Sequence, residues 1–140
     1  MVGYVESTVS MGIQIIVLGL LMGAVFLKIR KKYRQHGIVM LSAVVLHLIS
    51  IIAVMGPSFA KFVDTGLINF SDELVMVTFV HFFAGLIAAL LGVWLVGSWH
   101  LKVDVQDCFR KKRVMYVTII LWILAILLGI FLYLVIVRVI

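Results

Sequence analysis

One cysteine and one proline in 140 residues rule out two common devices at the outset. Cys108 has no partner, so neither an internal disulfide nor a CxxC pair can form. Pro57 is the only residue that must interrupt a helical hydrogen-bond ladder. Acids are scarce too, with six Asp and Glu against twelve Lys and Arg and a net charge of +6. All six (Glu6, Asp64, Asp72, Glu73, Asp104 and Asp107) fall at or beyond the ends of apolar runs. The lack of a carboxylate inside an apolar run argues against a carboxylate-based proton pump or cation transporter. No P-loop, GxSxG or HExxH is present, which removes nucleotide and hydrolytic chemistry of those types. The first residues lack a basic region and carry Glu6, so no cleaved signal peptide is expected.

What the chain does have is apolar surface. Hydrophobic residues make up 65% of it, against about 45–50% in soluble domains. The expectation is an all-α integral membrane protein, a single domain folded as a four-helix up-down bundle. The four runs are 11–29, 37–56, 74–99 and 114–137, each near or above the roughly 20 residues that cross a bilayer. Residues 1–9 read as a polar lead, with Ser7 or Ser10 as a cap. Pro57 is expected to end the second run and open the longest connection, 57–71. Asn69-Phe70-Ser71-Asp72-Glu73 reads as a helix start, with capping side chains and acids at the positive dipole end. Gly12, Gly19 and Gly23 share one face of the first run, where small residues let a neighbouring helix approach.

Ten of the twelve Lys and Arg lie in two basic loops, 28–36 and 100–113. The positive-inside rule places both loops in the cytoplasm and both termini outside, in a multi-pass protein of the cell membrane. Trp99, Tyr116 and Tyr133 fall where an interfacial aromatic belt belongs. The positive charge is topological and meets lipid headgroups; it is not a nucleic-acid signature.

The four histidines are the chemistry-bearing residues. His36 and His47 are eleven residues apart, so they share a helix face about 16 Å apart along the axis. His47 lies ten residues before Pro57 and His81 nine residues after Asp72, which puts the two at nearly equal depth. An ionisable residue at that depth is a functional candidate. Two imidazoles from facing helices can hold a haem iron between them. Gly85, Ala88 and Gly92 share the His81 face, and Thr118, Trp122, Ala125 and Gly129 have the same spacing on the fourth run. Such stripes serve either a macrocycle, with Gly85 and Gly92 lining it, or helix packing alone. His36 and His100, at the basic boundary, would form a second haem pair, giving one or two haem b groups and an electron path. Copper is the alternative, since thioether and imidazole ligands suit it and Met40 lies between His36 and His47 on their face. The plain alternative for every histidine is a ring satisfied by a backbone carbonyl in a structural subunit.

The basic stretch running into His36-Gly37-Ile38-Val39-Met40, the Val80-His81-Phe82-Phe83-Ala84-Gly85 segment and Arg110-Lys111-Lys112-Arg113 leading to Leu121-Trp122-Ile123 occur in an order and spacing that resembles the small four-span membrane proteins catalogued as domain of unknown function 420. The resemblance covers most of the chain. Histidine placement is also similar to that of b-type membrane cytochromes. The first resemblance implies a part in assembling haem–copper terminal oxidases, through haem or copper handling, and points to His36 and His81. The chain departs from that pattern before the fourth span, where Cys108-Phe109 stands in place of a histidine. The expected role is electron carrier or assembly factor rather than enzyme. The expected partners are membrane lipids and a respiratory oxidase or other membrane complex, or a second copy.

Overall fold

The computed structural model describes residues 4–66, 69–99 and 111–137. His100 and Cys108, and with them one member of the expected second haem pair, lie outside the described residues. All regular structure among the described residues is helical: α1 (Tyr4–Ile29), α2 (Tyr33–Ser50), a π-helical segment (Ile51–Met55), α3 (Gly56–Asp64), α4 (Glu73–Trp99) and α5 (Lys112–Ile136). Four stretches are long and apolar enough to cross a membrane: Val5–Ile29, Tyr33–Asp64, Glu73–Ser98 and Lys112–Ile136.

Helix ends depart from the sequence expectation in two places. Helix α1 already runs at Tyr4, so Ser7 and Ser10 lie inside it and cap nothing; Ser7 is buried instead. The second rod does not stop at Pro57. It continues to Asp64 as one helical stretch of 32 residues, about 48 Å of rise. The ladder opens just before the proline. The Gly56 N–H donates to the Ile51 carbonyl five residues back, in the i→i+5 pattern of a π turn. Pro57 then falls in the first turn of α3, where its missing N–H is not needed. Gly56 is required there, because a Cβ on it would lie 2.9 Å from the Ile51 carbonyl oxygen.

The two visible turns are locally determined. Lys31 adopts φ 60°, the Lys32 N–H donates to Leu27 O and the Lys31 N–H to Lys28 O. This is a Schellman ending for α1, with lysine where glycine is usual. Before α4, Asn69 Oδ1 accepts from the Ser71 N–H and Asp72 Oδ1 from the Leu74 N–H, so the expected helix start is present.

The core is narrow and lies toward the end that carries the basic residues. Val17, Leu21, Ala43, Val44, Ala88, Trp122 and Ile126 form one buried cluster. A Cβ on Gly92 would lie 3.1 Å from Val44 Cγ2 and 3.7 Å from the Trp122 ring. Gly92 therefore lets α4 close on both α2 and α5. Gly85 likewise faces Ala125. The small-residue stripes of α4 and α5 thus meet each other. The α1 stripe behaves differently from the packing expected of it: among the described residues nothing lies within 4 Å of a Cβ placed at Gly12, Gly19 or Gly23.

At the basic end, Lys28 Nζ sits 5.4 Å from the Tyr116 ring and Lys111 Nζ donates to Ser98 Oγ. The opposite end, which holds Asp64, Asp72 and Glu73, is aromatic. Phe59 stacks on Phe82 at 3.9 Å and meets Phe79 edge-on at 5.4 Å.

The π turn yields a stability prediction. Gly56→Ala should destabilise the detergent-solubilised protein by about 1–3 kcal/mol through overpacking. Gly19→Ala should be neutral or slightly stabilising, since it adds helix propensity at an open position. Thermal unfolding followed by circular dichroism checks both; an unchanged midpoint for Gly56→Ala would show that the turn does not need glycine.

Candidate functional site

Each described histidine is held in the same way, by a backbone carbonyl of a neighbouring helix. His36 Nδ1 lies 2.7 Å from Ala24 O, His47 Nε2 3.1 Å from Gly85 O, and His81 Nδ1 2.7 Å from Ala125 O. A carbonyl oxygen can only accept, so the facing nitrogen carries the proton. The tautomers follow: Nδ1–H for His36 and His81, Nε2–H for His47. On a neutral ring the other nitrogen is left as a bare lone pair. A ring N–H fixed on a carbonyl, with the opposite nitrogen bare, is the arrangement that orients metal-ligating histidines.

His47 is 1% exposed, packs its ring against Trp122 with centroids 4.9 Å apart, and has no hydrogen-bond partner for its buried Nδ1. His81 is seated against Gly129, where a Cβ would fall 2.9 Å from its Cε1. Glycine at 129 is thus what admits the ring.

The two rings share one small cavity of about 10 Å³, which Gln14, Met55 and Phe82 also line. The depth count in the sequence predicted this meeting of α2 and α4. His36 does not line the cavity; it ties α2 to α1 near the basic end. Met40 packs against the core cluster. Of the two glycines expected to line a cofactor, Gly85 touches the His47 ring and Gly92 touches Val44 and Trp122.

Gln14 and Met55 were not singled out by sequence reasoning. Gln14 had a signal, being the one amide inside the first apolar run; it is 4% exposed and donates from Nε2 to Met55 Sδ at 3.8 Å. Met55 had none, since methionine near a span end reads as apolar filler.

The donors around the cavity are therefore two imidazoles, a thioether and an amide. No group of three His, Cys, Asp or Glu able to hold a metal occurs among the described residues. The set is uncharged, with one soft thioether and two imidazoles of intermediate softness. A haem does not fit between His47 and His81 in this packing. Their shared space is about 10 Å³, roughly that of one water, and the small residues that would have made room are used in the α4–α5 seam.

A larger cleft of about 330 Å³ adjoins the cavity toward the acidic end. Gln14, Met55, His81 and Phe82 line both spaces. Ser7, Ser10, Met11, Thr78 and Tyr133 continue its wall.

The tautomers are directly testable. With histidine labelled at both ring nitrogens, His36 and His81 should show protonated Nδ1 and His47 protonated Nε2, each assigned by loss of one signal in its His→Gln variant. Gly129→Ala should shift the His81 signals and leave those of His36 in place; unmoved His81 signals would show that residue 129 does not seat the ring.

Comparison with protein-family models, with curated proteins and with solved structures finds no match.

Proposed function

We propose that this chain is a copper(I)-handling protein of the cell membrane, a non-enzymatic factor that holds the ion within the bundle and passes it to a membrane metalloenzyme. The single observation that carries this reading is the cavity lined at once by His47, His81 and Met55. Imidazole and thioether donors suit cuprous copper. The cavity is of ion size, and the bare nitrogens of His47 and His81 are already free of protons. Among the described residues no carboxylate lines the cavity, which favours a monovalent ion, because the cost of burying charge rises steeply with its magnitude.

The proposed ligands are His81 through Nε2, Met55 through Sδ and His47 through Nδ1. The proposed topology is an up-down bundle with both termini outside and both basic loops in the cytoplasm, by the distribution of Lys and Arg. The resemblance in the His36, His81 and Arg110–Arg113 segments supports a haem–copper terminal oxidase as the recipient. A second reading is supported by the 330 Å³ cleft beside His81: a haem b held from that side by His81 alone, in a protein of the same assembly pathway.

Titrated anaerobically against a chromogenic copper(I) chelator, the purified protein should bind one equivalent of copper. His81→Ala and Met55→Leu should each weaken binding by at least about tenfold, in the range that disturbed metal shells show. His36→Ala should leave it unchanged. Affinity should fall as pH is lowered, because protons compete for the same nitrogens. Copper binding indifferent to His81 and Met55 would overturn the site. A dithionite-reduced minus oxidised haem b spectrum that disappears in His81→Ala, without copper binding, would favour the second reading.

A further inference from the structure

The His47–His81 cavity has an open side and a closed side. Toward the basic end it meets the buried cluster. Val17 is 1% exposed, Val44 4%, Ala88 0% and Trp122 0%, and Gly92 already brings α4 to contact distance of Val44 and Trp122. Toward the acidic end the cavity shares Gln14, Met55, His81 and Phe82 with the 330 Å³ cleft.

The chemistry of the cleft wall is as informative as its volume. Among the described residues no Lys, Arg, Asp or Glu lines it. Its donors are uncharged: the Met11 thioether, the hydroxyls of Ser10, Thr78 and Tyr133, and Ser7. Ser7 is 8% exposed and its hydroxyl has no partner among the described residues. A buried polar group without a partner is rare enough to need an explanation. A thioether on a neutral wall, leading to two imidazoles and a second thioether, gives a soft cation donors of suitable type along the way to the site.

We infer that the site is loaded and emptied from the acidic end only, through this cleft, so that exchange is vectorial and the partner is a copper(I) donor or acceptor on that side of the membrane. This rests on the copper reading. With the basic loops in the cytoplasm, the partner stands on the non-cytoplasmic face. Transfer is ligand exchange. Each copper bond to His47, His81 or Met55 is replaced by a bond to an imidazole or thioether of the partner. Copper stays cuprous, no electron moves, and no proton must leave, since the donating nitrogens are already bare. The described wall of the cleft is neutral, so within it recognition relies on donor type.

Right-side-out and inside-out membrane vesicles from expressing cells test this, with their sidedness and the exposure of the basic loop scored by labelling Cys108 with a membrane-impermeant maleimide. After loading with copper(I), a membrane-impermeant copper(I) chelator outside the vesicles should strip the metal only where the acidic end faces out. Preparations with the basic end outward should release it only when detergent is added, a difference of at least about tenfold in rate. Equal release from both faces, or release from the basic face, overturns the inference.

A second arm does not depend on copper. In a Cys108→Ser background, His81→Cys should react with an impermeant methanethiosulfonate from the acidic side alone, and Val44→Cys from neither side. If no copper binds but the cysteine at 81 is reached from the acidic side only, the metal reading fails and one-sided access stands. If copper binds but the cysteine is reached from the basic side or from both, the access inference fails and the metal reading stands.

Discussion

The bundle depends on imidazole N–H groups donating to carbonyls that are already engaged in their own helices. A helical carbonyl has a second lone pair, and in this chain three such carbonyls (Ala24, Gly85 and Ala125) accept from a histidine of another helix. The three bonds join α2 to α1, α2 to α4, and α4 to α5, so all four long helices are tied in sequence. In a lipid environment, apolar contact between helices has little hydrophobic driving force, and packing and cross-helix hydrogen bonds decide association. Leaving any of these N–H groups unanswered in hydrocarbon would cost several kcal/mol. The accepting residues are alanine or glycine.

The same bonds set the chemistry. By taking one nitrogen of each ring, the backbone decides which nitrogen is left bare, and a bare imidazole nitrogen next to a thioether is a ligand set. The structural reading of these histidines and the functional one are therefore not rivals. A carbonyl bond stabilises the bundle and also presents the other nitrogen. The difference between His36 and the pair His47 and His81 lies in what surrounds the bare side. Only the pair shares its space with Gln14 and Met55.

The four long apolar helices and the meeting of His47 with His81 were legible in the sequence, because each follows from counting residues against a fixed rise. The positions of the small residues were legible as well, but not their use. Gly85, Ala88 and Gly92 look the same whether they make room for a cofactor or for a helix, and here Trp122 and Ala125 fill the space. Gly12, Gly19 and Gly23 have the same spacing, and among the described residues nothing comes within 4 Å of a Cβ placed on them. Periodicity reports a face and says nothing of what covers it. The continuation past Pro57 was illegible for a different reason. Proline forbids one hydrogen bond, and whether the helix ends there depends on whether the preceding turn can widen to do without it. That depends on Gly56, which has to be read together with the carbonyl of Ile51. Ser7 was misread because a serine near the start of an apolar run has the look of a cap, although the helix begins a turn earlier.

The widened turn also changes the phase of the rod. At about 100° per residue from His47, an unbroken α-helix would put Phe59 about 120° and Phe62 about 60° around the axis. A π turn takes in about one extra residue, which moves both back by about 100°. Phe59 then falls about 20° from His47 and Phe62 about 40° to its other side, the side of Ser50. That is why Phe59 can stack on Phe82, the neighbour of His81, instead of facing lipid. The segment Ile51–Met55 works as a frame shift between two readings of one helix. The histidine half and the aromatic half obey the same periodicity with different origins. Closing that turn to a plain α-helix with every residue kept would leave both halves helical and apolar while turning the aromatic wall of the cleft about 100° away from α4.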